Sequence, residues 1–423
     1  MALSKKWRRA ILLCALAATL VKLFLALRSG GTLDVFAFNE FLTNIRETGG
    51  VGAYYRTGRA GNPFNHPPFM IHAIRSMGWL ADATPLPFRF WLRLPAILAD
   101  LGNLFLVWKL VEHTTTVKLS PLALAFLAIY PGSIWISGFH GNTDPLMIFF
   151  LLLSLYLLAL KRMSWLAGAA FGMAVNIKIV PLVFAPAIFL FLPDLQTRLK
   201  YFAAAATVFL VGSLPYIAQD PFVIWKTVFG YRSLYGRWGW TRLVARALPH
   251  VPLPLNGNHE LTGTHALIAT AGRYMLLASI VAASLWMNLR RKRKPPIFLQ
   301  CGFIAFLFIA LTPGFGTQYL AWLAPWMVVL GVWSARIYYS VSVCYIMLVY
   351  LTISRAARVV FDLPRFLTWN FYVAVETACW LAVLVALVSC WRLLRNYGED
   401  DADEPLLEKR AGLSSLEETP AAN

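Results

Sequence analysis

The side chains able to do acid–base or anion chemistry in this chain are few, and they sit at the ends of apolar runs. Asp34 lies in the stretch 30–41, GGTLDVFAFNEF, a few residues past the first such run. A carboxylate at bilayer mid-depth costs roughly 2.5–3.5 kcal/mol on insertion scales. Just past a span it avoids most of that cost and can take a proton from a hydroxyl. The plainer reading is a cap for a helix beginning at Val35. The stretch 56–69, RTGRAGNPFNHPPF, places Arg59 and His66 beside a Pro-Pro stop: a site wall with one of them near a phosphate, or a loop with a rigid turn.

Three further stretches carry the remaining candidates. In 138–145, GFHGNTDP, Asp144 followed by Pro145 reads as an N-cap and N1 pair. His140 has no such job, and a helix N-terminus there favours an anion. Lys178, in AVNIKIVPL, marks the junction of two short apolar runs. It either snorkels to the surface or meets a phosphate. In 314–326, GFGTQYLAWLAPW, Gln318 and Tyr319 can hydrogen-bond a sugar, or the aromatics form an interfacial belt. Around 231–240, Tyr231, Arg232, Tyr235, Arg237, Trp238 and Trp240 interleave cations with aromatics. That suits sugar stacking and phosphate binding, or an anchoring interfacial helix. Gln318, Tyr319, Asn142, Asp144, Arg232 and Trp238 are the sugar- or acceptor-contacting candidates.

These groups are positioned by an unusually apolar chain. Of 423 residues, 59% are hydrophobic and 14% charged, which excludes a soluble domain of this size. Apolar runs fall at about 8–27, 88–111, 120–137, 145–160, 164–178, 180–193, 201–217, 264–289, 296–312, 319–335, 337–354 and 370–391. The fold class is therefore all-α, a polytopic transmembrane protein of about twelve spans. One unit covers 1–397, with large polar loops at 28–87 and 218–263. The acidic tail 398–423 has a disordered composition. Lys178 and Pro181 interrupt the 164–193 pair, as in a broken or re-entrant segment.

The net charge of +18 comes from Lys and Arg grouped at span ends, so it signals topology and not nucleic-acid binding. With Lys5–Arg9 cytoplasmic, counting spans places Asp34, His140, Lys178, Gln318 and both large loops together on the opposite face. The same count puts Arg355, Arg358 and Arg365 outside, against the charge rule. Cysteines 14, 301, 344, 379 and 390 lie inside apolar runs and imply no disulfide framework. The first run reads as a retained span, not a cleaved leader. There is no P-loop, GxGxxG, HExxH, nucleophile elbow or close carboxylate pair to hold a metal.

Taken together, Asp34, NHPP at 65–68, HGNTDP at 140–145, NIKIVPL at 176–182 and QYLAWLAP at 318–325 resemble the GT-C superfamily of polyprenyl-phosphate-sugar-dependent glycosyltransferases. The similarity is to integral-membrane mannosyltransferases. The resemblance implies inverting transfer of a hexose from a polyprenyl-monophosphate donor to a lipid, glycan or protein acceptor, with Asp34 as base. Lys178, with His66, His140 or Arg59, would hold the donor phosphate. Asp34 has no second acid paired with it, where some members carry a pair, which leads us to expect no cofactor and no obligatory metal. A bacterial inner membrane with the site facing the periplasm is the expected setting. The competing class is a transporter or flippase of a lipid-linked anion, which would need no base.

Overall fold

The computed structural model describes residues 3–56, 64–113, 117, 119–231, 233–248, 261, 263–290, 293–353 and 369–397. Arg59, Arg232, Arg355, Arg358, Arg365 and the tail from 398 lie outside them.

The apolar runs read from the sequence fall on helices, with one exception. The run 319–335 is broken into a short helix (Leu320–Met327), a 3-10 turn (Val328–Leu330) and the start of a longer helix at Val332, so the twelfth expected span is absent among the described residues. The order is α1 (Lys5–Arg28), α2 (Leu33–Thr48), α3 (Phe69–Ala83), α4 (Phe88–Glu112), α5 (Pro121–Ala128), α6 (Asp144–Ala159), α7 (Ser164–Ile177), α8 (Ala185–Phe191), α9 (Leu195–Ile217), α10 (Gly239–Ala247), α11 (Gly263–Leu289), α12 (Ile297–Leu311), α13 (Leu320–Met327), α14 (Val332–Ile353) and α15 (Trp369–Asn396). A π-helical turn, Ile134–His140, extends α5 towards α6. Among the described residues seven helical segments are long and apolar enough to cross a bilayer, and four shorter apolar ones accompany them. At 1.5 Å per residue a span needs about 20 residues, so the short helices cross fully only where the protein or membrane around them is thin.

α4 packs on α6, α6 on α7 and α7 on α9, the last pair side by side in the same direction, Gly168 meeting Tyr201 and Gly172 meeting Ala205. Lys178 is the C-cap of α7, in extended conformation, and a 3-10 turn (Val180–Phe184) follows it before α8. That is the interruption expected at this point. The polar loop after α1 is itself helical: α2 and α3 lie against each other and against α4.

Charged groups also lie inside the spans, which apolar averaging conceals. Lys22 of α1 donates to Asp100 of α4 at 2.6 Å and to Ser133 at 2.7 Å. The Ser133 and Ser137 hydroxyls donate to the same Asp100 oxygen. A charge pair at this depth persists only when its remaining hydrogen bonds are filled, as here. The cluster ties the π-helical turn to α1 and α4. A second buried pair, Arg242 with Glu376, docks α10 on α15.

Candidate active site

Two loops meet where α1 ends. Gly31 adopts φ +83°, and a Cβ there would fall 2.0 Å from the Arg93 guanidinium. Gly141, with φ +80°, closes the π-helical turn on the other side. Glycine reaches this left-handed region without steric cost. Arg93, fully buried in α4, fans across both loops. It donates to the carbonyls of Ala26 (3.2 Å), Ser29 (3.1 Å) and Phe139 (2.7 Å). These carbonyls end α1 and approach the end of the π turn, where backbone acceptors lack helical partners. One guanidinium thus sets the chain leading to Asp34 beside the chain bearing His140.

Thr32, and not Asp34, is the N-cap of α2: its hydroxyl accepts the Asp34 N–H at 3.3 Å. The Asp34 carboxylate, in the first turn, is therefore released for other contacts. Its Oδ2 lies 3.0 Å from His140 Nε2 and accepts from Asn142 Nδ2 at 3.1 Å. No partner is present for Oδ1 among the described residues, and the side chain remains 38% exposed. His140 Nδ1 lies 2.8 Å from the Thr32 hydroxyl. The same Thr32 hydroxyl donates to the His140 carbonyl at 3.2 Å, so Thr32 fixes the imidazole with Nε2 turned to the carboxylate. Tyr350 stacks flat on the imidazole at 5.2 Å. Burial presses the Asp34 carboxyl upward, but His140, Lys178 and Asn142 outweigh it and hold it at about 2. Asp34 is thus ionised at neutral pH.

Asn142 bridges the two charged halves of the cluster. Its Oδ1 accepts from Lys178 Nζ at 3.3 Å and from the Asp144 N–H at 3.1 Å. Asp144 does not cap α6. Thr143 is the residue before the helix, and the buried Asp144 carboxylate pairs with Lys178. The same Nζ sits 5.8 Å above the Tyr319 ring, which stacks on Trp322.

The other candidates divide. His66 is buried among Phe38 and Phe64, and Tyr54 donates to its carbonyl at 2.7 Å. Burial and the nearby Lys178 lower its imidazole to about 4, so it is neutral near pH 7. Gln318 is half-buried, its amide folded over Gly316. Trp238 is fully buried, stacked on Phe315 at 3.9 Å. Its indole donates to Ile309 at 2.8 Å, as Trp240 does to Leu311 and Trp380 to Ala310. These indoles satisfy the terminal carbonyls of α12, so the Trp238 ring has no face left for a sugar. The polar loop it belongs to is held near the cluster by a two-residue antiparallel pairing, Leu234 with Phe315 and Tyr235 with Gly314. Sequence reasoning passed over Arg93, Thr32 and Tyr350. The first is hidden in an apolar run, the second is an ordinary loop threonine, and the third is one aromatic among many.

Residues 136–251 match the family model described as Mannosyltransferase (PIG-M). That match spans just over a quarter of the chain. The chain is a membrane glycosyltransferase, similar to mannosyltransferases over that segment. The matched segment contains His140, Asn142, Asp144 and Lys178 but not Asp34. It thus supplies the partners around Asp34, while the first polar loop supplies Asp34 itself. No curated protein matches the transferase.

Proposed function

We propose that the transferase moves mannose from a polyprenyl-monophosphate donor to a hydroxyl of a lipid or glycan acceptor, at the membrane face where Asp34 lies. The observation that carries this reading is the asymmetry of the Asp34 carboxylate. Oδ2 is held by His140 and Asn142, while Oδ1 has no partner among the described residues and the carboxylate is kept ionised in part by the charge of Lys178. In a single displacement the acceptor oxygen bonds to the anomeric carbon as the bond from that carbon to the phosphate oxygen breaks. The acceptor proton passes to Oδ1, and the bonding pair leaves with the lipid phosphate. The sugar carbon becomes oxocarbenium-like on the way, as in other glycosyl chemistry, and its configuration inverts.

In this reading Lys178 is the group that meets the donor phosphate, and no divalent ion is required. A cation about 4 Å from a phosphate, at an effective dielectric near 20, is worth roughly 4 kcal/mol before desolvation. The alternation of helices from a basic N-terminus supports a non-cytoplasmic site, and the bacterial periplasmic face is the setting we favour. The test offers the purified full chain in nanodiscs either polyprenyl-phosphate mannose or a nucleotide-linked mannose, with a hydroxylated lipid acceptor. Product from the lipid donor alone is expected. Product from the nucleotide donor alone would refute the donor assignment.

A further inference from the structure

Among the described residues two buried side-chain hydroxyls lack any hydrogen-bond partner, those of Thr143 and Tyr350. Tyr350 touches the Asp34 cluster through His140, and Thr143 is flanked in the chain by two of its members. Thr143 lies between Asn142, which bridges to Asp34, and Asp144, which pairs with Lys178. Tyr350 lies flat on the ring of His140. They are 3% and 4% exposed. A buried hydroxyl without a partner is destabilising, and most are satisfied by protein or ordered water. Two such hydroxyls at one cluster, on chain segments about two hundred residues apart, are polar groups that the fold's own hydrogen bonds leave unused. Phenylalanine and valine would fill the same volumes without that penalty, so packing alone does not account for a tyrosine and a threonine here.

We infer that Tyr350 and Thr143 are sugar-recognition residues, whose hydroxyls hydrogen-bond hydroxyl groups of the donor hexose while Asp34 faces its anomeric carbon. This rests on the transfer reading above and adds to it the groups that select the sugar. A hexose presents several hydroxyls on one ring, and a site with fixed hydroxyl partners rejects analogues that lack them because its own polar groups are then stranded.

The test is Tyr350→Phe and Thr143→Val in the full chain in nanodiscs, with melting temperature and kcat/KM measured together. Donors are polyprenyl-phosphate mannose and analogues each lacking one sugar hydroxyl. Tyr350→Phe keeps the ring on His140 and removes only the orphan oxygen. Expected are a melting temperature equal to or above wild type and a fall of about three- to tenfold in kcat/KM with the complete donor. For one deoxy donor, the variant and wild type should be equal. Wild-type kcat/KM with every donor would overturn the inference and make the hydroxyl's partner a water. An equal loss with every deoxy donor would also overturn it, since that pattern reports a disturbed His140. If wild type forms no product from any donor, the transfer reading fails. The contact is then decided by donor-induced thermal stabilisation: weaker in Tyr350→Phe supports it, and equal stabilisation overturns it.

Discussion

Lys178 stands in two roles, and its removal separates them. Its side chain is 15% exposed and pairs with an Asp144 side chain that is fully buried. Lys178→Ala strands that carboxylate, and breaking a buried pair from one side typically costs about 3–5 kcal/mol. The single variant is therefore expected to be poorly folded as well as inactive, and it cannot by itself report on donor binding. Lys178→Ala combined with Asp144→Asn removes the stranded charge. The asparagine keeps an amide at the Asp144 position, so most of the lost stability should return. What does not return is the cation at the donor phosphate. A charge-assisted hydrogen bond is worth about 1.5–3 kcal/mol, so donor kcat/KM in the double variant should fall about ten- to a hundredfold. The assay pairs thermal unfolding in nanodiscs with initial rates over a donor titration, and Asp144→Asn alone completes the cycle. A stable double variant with wild-type donor dependence would show that Lys178 serves only as the counterion of Asp144, and the phosphate site would lie elsewhere.

The remaining predictions concern pH, metal and topology. His66 has its imidazole lowered to about 4, against an unfolded value near 6.5. The unfolded chain then binds more protons below pH 6.5, so stability should fall on the order of 2–3 kcal/mol between pH 6.5 and 4. In His66→Gln that part of the slope should vanish, as read by chemical unfolding across pH. EDTA at millimolar excess should leave the transfer rate unchanged, and loss restored by one divalent ion would show a metal requirement. Gly30 is exposed with open space around it, and Lys161 is exposed at the far end of α6. Cysteines placed there should label with an impermeant reagent from opposite sides; labelling from one side would overturn the alternating arrangement.

How far the sequence went depends on the range of the interaction. Most spans were legible because each is a local apolar run. The misses are α9, which polar residues such as Gln196 and Arg198 begin, and the runs 319–335 and 337–354, which the chain divides instead into the short α13 and an α14 that starts at Val332. The helix starts were less so. Asp34 and Asp144 both look like caps in sequence, yet Thr32 caps α2 and the Asp144 carboxylate is drawn to Lys178. The Asp144–Lys178 pair and the Lys178–Asn142 hydrogen bond, the latter across 36 residues, are non-local, as is the Thr32–His140 contact across 108. No local pattern encodes such contacts. Trp238 misled for the opposite reason. An indole in a polar loop reads equally as a ligand platform or as a donor for exposed helix carbonyls, and here it is the donor.

The central claim is that Asp34 is the base. Asp34→Asn keeps the side-chain size, and the asparagine can orient its amide so that its oxygen still accepts from His140 and Asn142. It cannot take up a proton at neutral pH. Thr32 supplies the cap in either case, so folding should hold. The deciding measurement is product formation by purified Asp34→Asn in nanodiscs, from polyprenyl-phosphate mannose, alongside its melting temperature. A positioned base contributes typically 10²–10⁴-fold, and a folded, donor-binding protein slowed by about that factor is expected. Wild-type rates from the folded variant would contradict the account.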